Sequence, residues 1–391
     1  MNMNQLRVAV VTHAPFPRGN VSTMRYTSYL KSLQKLGVFT FVLIYCPTRM
    51  ASDVKERSGI YNGISYQYAT NPSWKNYNLL NKIIFLIKGL FNSIKYLNKN
   101  EISTIILYGD NPFIVHLFFW IYTLFTGKKF IGDRSELPSL EERNSKTKLF
   151  LYGVKQRMFD GMIIMTKQLL SFYSQYSKKS NFLFFLPMTI DPERFNGVHK
   201  RKLKCPYIAV VFGTHNRDGL EESLMSFDLY CKKGGRYHLK LIGDYANMPN
   251  KEVLDNIIHD SMYCSRIHIL GKQPNNILPE ILINAEILMT TPNSYISGGF
   301  PTKLGEYMLS GVPIVVTKVG ELLDYISPDV DMLMNKPGDI DGISNSLLKL
   351  EVDNDLATNL SVNAELKAKK VFCADSYAQS LKSFLLGISE Y

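Results

Sequence analysis

Cysteine is scarce in this 391-residue sequence. The five (Cys46, Cys205, Cys231, Cys264, Cys373) are scattered, odd in number and form no C-x-x-C pair. That pattern excludes a thiol metal site of recognisable spacing and fits free thiols in a reducing cytoplasm. Long apolar runs are missing too: nothing approaches the ~18 uninterrupted apolar residues of a membrane span. The opening "MNMNQLRVAVVTHAPFP" has no basic region ahead of an apolar core and a small-residue cleavage site, so no secretory signal is expected. Zinc-finger spacing and RNP-type motifs are also lacking, which argues against nucleic acid as a partner.

Negative charge is scarce in the first half only. Residues 1–190 hold 24 Lys and Arg against 9 Asp and Glu, a net of +15; residues 191–391 hold 21 against 25, a net of −4. A basic first half suits an anionic partner, either a phosphorylated substrate or an anionic membrane face. With 46% hydrophobic and 20% charged residues, the composition is globular.

What is present is a repeated alternation. "RVAVVTHA", "FTFVLIYC", "TIILYGD" and "KKFIGDRSE" are apolar throughout and are separated by helical segments. After a proline-rich stretch, "LPMTIDPERFNGVHKRKLKCP" (186–206), the alternation restarts with "YIAVVFG", "YHLKLIGD", "IHILG", "AEILMTTP" and "VPIVVT". Wholly apolar strands between helices imply parallel sheets covered on both faces. The expected architecture is α/β, with two Rossmann-like domains facing across a cleft. The expected boundaries are 1–190, 191–372 and a C-terminal helix within 373–391 that packs back on the first domain. The "HKRKLK" run reads as a solvated linker. The nearly all-apolar segment 113–126 reads as a buried helix of the first sheet. In 82–99, Ile83, Ile87, Leu90, Ile94 and Leu97 share one helical face and Lys88, Asn92, Lys95 and Lys99 another. That pattern fits an amphipathic helix docked on the core, or an interfacial helix with lysines near anionic lipid.

One stretch carries chemistry. "SGGFPTKLGEYMLSG" (297–311) reads as a glycine loop opening a helix. Gly298 and Gly299 permit close backbone approach, and the helix after Pro301 offers free N–H groups and a positive dipole end to an anion. Lys303 adds a full charge in the first turn. Glu306, on the same helix face, suits a diol better than a phosphate. Phosphate plus diol means a nucleotide. The same residues also suit a simple capped helix; the position after "AEILMTTP", a strand end, favours the ligand. "FGTHNRDGLEE", at the end of the second half's first strand, supplies Arg217 toward the same pyrophosphate.

With "IGDRSELPSL", "LPMTIDPERF", "FGTHNRDGLEESLMSF", "LKLIGD" and "FPTKLGEYMLSGVPIVVTKVGE" in this order, the chain resembles the retaining family 4 glycosyltransferases (glycosyl transferases group 1, GT-B fold) over nearly its whole length. The resemblance implies catalytic roles for Arg217 and Lys303, on the donor pyrophosphate; Asp133 and Glu136, in "GDRSE" after a first-half strand, are expected to orient the acceptor, with helix capping as the other reading. It implies a donor site of Gly19, Asn20, Asn216, Gly298, Gly299, Phe300, Pro301, Thr302, Leu304 and Glu306, the last on the nucleotide ribose. The sequence departs from the family at Gly298, where a carboxylate is frequent, and at "RGN", where many members have two glycines. The frequent histidine near "ILYGDNP" is replaced by Asp110 or its neighbour; His13 stands near the first strand's end.

Two cations and a helix N-terminus can stabilise a leaving diphosphate where its charge develops, so no metal and no cofactor beyond the co-substrate is expected. "DVD" (329–331), "DID" (339–341) and "DND" (353–355) fall late, away from the expected cleft. The expected reaction is front-side, retaining transfer from a nucleotide-diphosphate sugar to a glycan hydroxyl. The expected acceptor is a lipid-linked or oligosaccharide glycan of cell-surface polysaccharide biosynthesis, and the enzyme is placed at the inner face of the membrane. The competing readings are a nucleotide-sugar epimerase and a non-catalytic scaffold of the same fold.

Overall fold

The computed structural model describes residues 5–17, 21–47, 56–73, 78–177, 182–213, 216–294 and 299–387. Two compact units emerge. The first comprises Met1–Asp191, Ser297–Gly299 and Ala374–Tyr391; the second comprises Pro192–Ile296 and Phe300–Cys373.

The first unit is built on an eight-stranded sheet. Its strands are β1 (Arg7–Thr12), β2 (Phe39–Ile44), β3 (Ser58–Tyr61), β4 (Ile64–Tyr68), β5 (Thr104–Tyr108), β6 (Lys129–Arg134), β7 (Gly161–Ile164) and β8 (Leu183–Phe185). Their order is β3-β4-β2-β1-β5-β6-β7-β8, parallel throughout except for the β3–β4 hairpin at one edge. β1, β2 and β5 are buried along almost their whole length, which is why they read as unbroken apolar runs. The helices are α1 (Val21–Lys35), α2 (Leu79–Lys99), α3 (Phe113–Thr126), α4 (Leu140–Asn144), α5 (Lys146–Arg157) and α6 (Lys167–Ser174).

The final helix, α14 (Ala378–Leu386), belongs to this first unit. Leu381 and Leu385 join its core, and the Phe384 ring stacks on Phe184 with centroids 5.2 Å apart. The Asp375 carboxylate just before it accepts from Ser32 Oγ at 2.6 Å and pairs with Lys35 Nζ at 2.8 Å.

Two helices depart from expectation. α3 is not buried all round: Val115 and Phe119 face the core, while Ile114, Leu124 and Phe125 stand in the open. α2 does not turn its whole apolar face inward either. Leu90 and Leu97 are buried, whereas Ile83 and Ile87 are exposed. Its anchor is Gly89, where a Cβ atom would collide with the Tyr45 carbonyl oxygen. Apolar spacing fixes a helical face, but it does not say whether protein covers that face.

The second unit holds a six-stranded, wholly parallel sheet in the order β11-β10-β9-β12-β13-β14. The strands are β9 (Tyr207–Val211), β10 (His238–Ile242), β11 (Ile267–Gly271), β12 (Ile287–Thr290), β13 (Ile314–Thr317) and β14 (Leu333–Asn335). Its helices are α7 (Leu220–Lys232), α8 (Lys251–Asp260), α9 (Leu278–Ile283), α10 (Thr302–Leu309), α11 (Leu322–Tyr325), α12 (Ile340–Val352) and α13 (Asn354–Val371). Chain order along the sheet reverses direction beside β9, between β10 and β12. In open parallel sheets this switch point, at the carboxyl ends of the strands, is where ligands bind.

Candidate donor site

The segments after β9 and β12 meet at that switch point. After β9 the chain makes one tight turn, Asn216–Asp218, and enters α7 through Gly219 in the left-handed region (φ 68°). A side chain at Gly219 would collide with the Thr291 carbonyl oxygen, so glycine lets the two segments touch. Thr291 Oγ1 donates to the Gly219 carbonyl at 2.6 Å, and the Asn293 N–H donates to the Arg217 carbonyl at 3.0 Å. The Arg217 loop is thereby held against the end of β12.

α10 is fixed below this loop. Its Tyr307 hydroxyl accepts from the Val211 N–H at 2.7 Å and donates to the Met289 carbonyl at 3.3 Å, bridging β9 and β12. Leu304 and Tyr307 are fully buried, and the Phe300 ring packs on Tyr325 and Phe372. Leu304 and Phe300 are therefore core residues of the second unit, and any contact they make with a ligand is through the backbone.

Lys303, in the first turn of α10, points to the Arg217 loop. Its Nζ lies 2.9 Å from Asp218 Oδ2, with both side chains largely buried. Asp218 also accepts from the Gly213 N–H. Burial pulls the Lys303 ammonium below its ordinary pKa, Asp218 pulls it back up, and the Arg217 charge lowers it again. An anion placed here would relieve that cost. Asp218 itself was absent from the sequence reading. Its adjacency to Arg217 carries no signal until the fold brings Lys303 across.

Glu306 lies one turn further along α10, nearly buried, and its carboxylate pairs with the Arg194 guanidinium. Arg194 also donates to the Asn275 carbonyl at 2.7 Å. It lies in the "DPERF" segment, far in the chain from Glu306, so no local pattern singles it out. Gly19, Asn20 and Gly298 lie outside the described residues, as does the Thr302 side chain. Gly299 and Pro301 lead directly into α10, and Asn216 is exposed at the start of the Arg217 turn.

In the first unit, Asp133 and Glu136 have different fates. Asp133 is 0% exposed. Its Oδ2 accepts from the Tyr29 hydroxyl at 3.0 Å, and its Oδ1 lies 3.6 Å from the Arg25 guanidinium, which also donates to the Pro187 and Leu186 carbonyls. Burial raises its pKa and Arg25 opposes the rise. This position is that of an internal carboxylate and not one presented to an acceptor. Glu136 is exposed and its carbonyl accepts from the Tyr173 hydroxyl. The helix cap after it is Ser139, in a reciprocal box with Glu142.

A second cluster sits at the carboxyl end of the first sheet. The Asn111 amide nitrogen donates to the Tyr108 and Gly109 carbonyls at 3.0 and 3.1 Å. Its oxygen must then be the acceptor, taking the Tyr45 hydroxyl at 2.8 Å and His13 Nδ1 at 3.1 Å. His13 Nδ1 is therefore the donor to Asn111, and the ring itself is exposed. His116, by contrast, is buried beside Arg134. Burial, then the Arg134 and Lys155 charges, lower its pKa to about 2, so it stays neutral.

The late aspartates have structural partners. Asp339 and Asp353 cap α12 and α13, and Asp331 pairs with Lys367 at 3.0 Å.

Comparison with known proteins follows the same division. Residues 193–367 match the family model described as glycosyl transferases group 1. No curated protein matches the chain. Among solved structures, the sucrose-phosphate synthase of Thermosynechococcus elongatus superposes with a TM-score of 0.74 at 13% identity, covering 98% of this chain and 99% of that one. Anabaena HepE, solved in complex with UDP, gives a TM-score of 0.71 at 13% identity over 98% and 100%. The lipopolysaccharide outer core galactosyltransferase WaaB gives 0.63 at 14% identity over 98% and 99%. Likeness at this identity speaks for the fold. The whole chain thus has the two-domain GT-B fold of these glycosyltransferase structures, and its residues 193–367 carry a glycosyl transferases group 1 domain.

Proposed function

We propose that the protein transfers a sugar from a nucleoside-diphosphate sugar to a hydroxyl of a glycan acceptor, with retention at the anomeric carbon. The observation that carries the donor assignment is the juxtaposition of Lys303, Asp218 and Arg217 at the β9/β12 switch point. There burial and the Arg217 charge both disfavour the Lys303 ammonium, and Asp218 favours it. A diphosphate would add negative charge beside that desolvated ammonium, and the α10 N-terminus adds its unpaired N–H groups.

In this reading Lys303 and Arg217 stabilise the charge that builds on the leaving diphosphate as the sugar–oxygen bond breaks. Glu306 receives the ribose hydroxyls, sharing its carboxylate with Arg194. The departing phosphate oxygen takes the acceptor proton on the same face, so positioning supplies most of the acceleration. Two fixed cations make a divalent metal unnecessary. Activity that vanishes with EDTA and returns with manganese would overturn that statement.

The acceptor is read as a lipid-linked glycan of cell-surface polysaccharide synthesis. The enzyme is read as a peripheral protein on the anionic inner face of the membrane, which the +15 first half supports. The first experiment is thermal unfolding with a panel of nucleoside diphosphates, beginning with UDP, because ligands that bind the native state raise its apparent stability. A shift with one diphosphate that disappears in Lys303→Ala and Glu306→Ala establishes the pocket and names the base. No shift with any of them favours a scaffold. The anomeric configuration of the first product, read by NMR, then tests retention.

A further inference from the structure

α2 and α3 carry a feature that neither the sheet nor the donor site uses. Ile83, Ile87 and Phe91 on α2, and Ile114, Ile121 and Phe125 on α3, are all exposed, Phe91 to 64% and Phe125 to 88%. Each set recurs at four- or seven-residue spacing, so each forms one stripe along its helix. The stripes are continuous, because the Phe91 ring meets Phe118 of α3 edge-on, with centroids 5.6 Å apart. The core-facing positions of both helices are filled by other residues, among them Leu90, Leu97, Val115 and Phe119. The outward face is therefore a second apolar surface and not a misplaced core. Contiguous exposed apolar surface on this scale marks an interaction site.

Charge identifies the partner. Lys88, Lys95 and Lys99 are exposed and follow one another at seven- and four-residue spacing, forming a row along the border of the α2 stripe. Neither helix contains a single Asp or Glu. A self-complementary dimer interface would set these lysines against each other with no carboxylate to meet them. Apolar side chains bordered by lysines instead match a bilayer surface, where acyl chains receive the former and anionic headgroups the latter. Among the described residues no helix is long and apolar enough to cross a membrane, so the surface would lie on the bilayer and not span it.

We propose that the outward face of α2 and α3 is the docking surface of this protein for an anionic lipid bilayer. The inference deepens the peripheral attachment proposed above and rests on that reading, but not on the identity of the donor or acceptor.

The test is co-sedimentation of the full chain with vesicles of phosphatidylcholine alone and of phosphatidylcholine doped with phosphatidylglycerol. Three proteins are compared: wild type, Ile87→Asp/Phe125→Asp, and Lys88→Glu/Lys95→Glu. Thermal unfolding and the UDP-induced shift are measured on each. Wild type should bind the anionic vesicles preferentially, and more weakly as salt rises. Both variants should partition at least about tenfold less while keeping their melting temperature and nucleotide response. If the aspartate variant fails to fold, the lysine variant still decides. Three results would overturn the proposal: no wild-type binding at low salt, variants that bind as wild type does, or a wild-type dimer that only the aspartate variant dissociates. A protein that binds vesicles through this face but shows no response to any nucleotide would refute the donor assignment alone.

Discussion

The two units solve the problem of holding charge in opposite ways. In the second, Lys303, Asp218 and Arg217 cluster where strands end, and burial with the Arg217 charge weighs against the Lys303 ammonium. In the first, Asp133 and Arg25 are closed inside the core, where Tyr29 and main-chain carbonyls take up part of their hydrogen bonding and Asp133 Oδ1 and Arg25 Nε are left without a hydrogen-bond partner. The first arrangement holds a desolvated ammonium that an anionic ligand can favour. The second is closed to solvent and holds its counter-charge within the core. A conspicuous acid after a parallel strand is thus no guide to function until its partners are known.

The same contrast explains what the sequence could disclose. The sheets were legible because their central strands are buried on both faces and read as unbroken apolar runs. The Lys303–Glu306 helix was legible because glycines, a proline and two charges fall within one short window. The β3–β4 hairpin, the three-residue β8 and β14 and the four-residue β7 were not singled out. The three-residue β8 and β14 give no periodicity to count. Asp218 and Arg194 were missed because their partners, Lys303 and Glu306, are distant in the chain. Asp133 was misplaced for the same reason: nothing near it in sequence announces Arg25.

The largest effect expected from this comparison is on stability. Asp133→Ala leaves the Arg25 guanidinium buried without its counter-ion and should cost about 3–5 kcal/mol. Urea unfolding would read it as a lower midpoint. If Asp133 served the acceptor and not the core, the variant would unfold like wild type and lose transfer alone.

Next is Lys303→Met, which keeps the stem and removes the charge. Removing one charge-stabilising donor typically lowers kcat by about 10²–10³-fold. The variant should lose transfer on that scale while its urea midpoint moves little, the reverse of the Asp133→Ala pattern. Equal loss of stability in both variants would erase the distinction between the units' charge clusters.

His116 tests the closed side by pH. Its pKa in the fold, about 2, lies below the ordinary value of 6.5. The unfolded chain therefore binds a proton that the folded chain refuses. The contribution is complete above pH 6.5 and is lost as pH falls from there toward 2, by up to about 1.4 kcal/mol per pH unit. His116→Gln should flatten this part of the stability profile between pH 6.5 and 4. An unchanged slope would mean that the imidazole is protonated in the folded protein.

The smallest expected effect is the most discriminating for the donor site. Glu306→Gln keeps the size of the side chain and two polar atoms but removes the charge that Arg194 and a ribose would share. Diol hydroxyls can still donate to the amide oxygen, so nucleotide binding should weaken by only about tenfold, the cost of exchanging a charge-assisted hydrogen bond for a neutral one. Arg194→Ala separates the two claims on the carboxylate. If Arg194 only holds Glu306 in place, the double variant should bind as Glu306→Gln does, because the arginine then has nothing left to position. If Arg194 touches the nucleotide itself, the two losses should add. Calorimetric titration with UDP across the four proteins distinguishes these outcomes. Additivity would move Arg194 from the support of the site into the site itself.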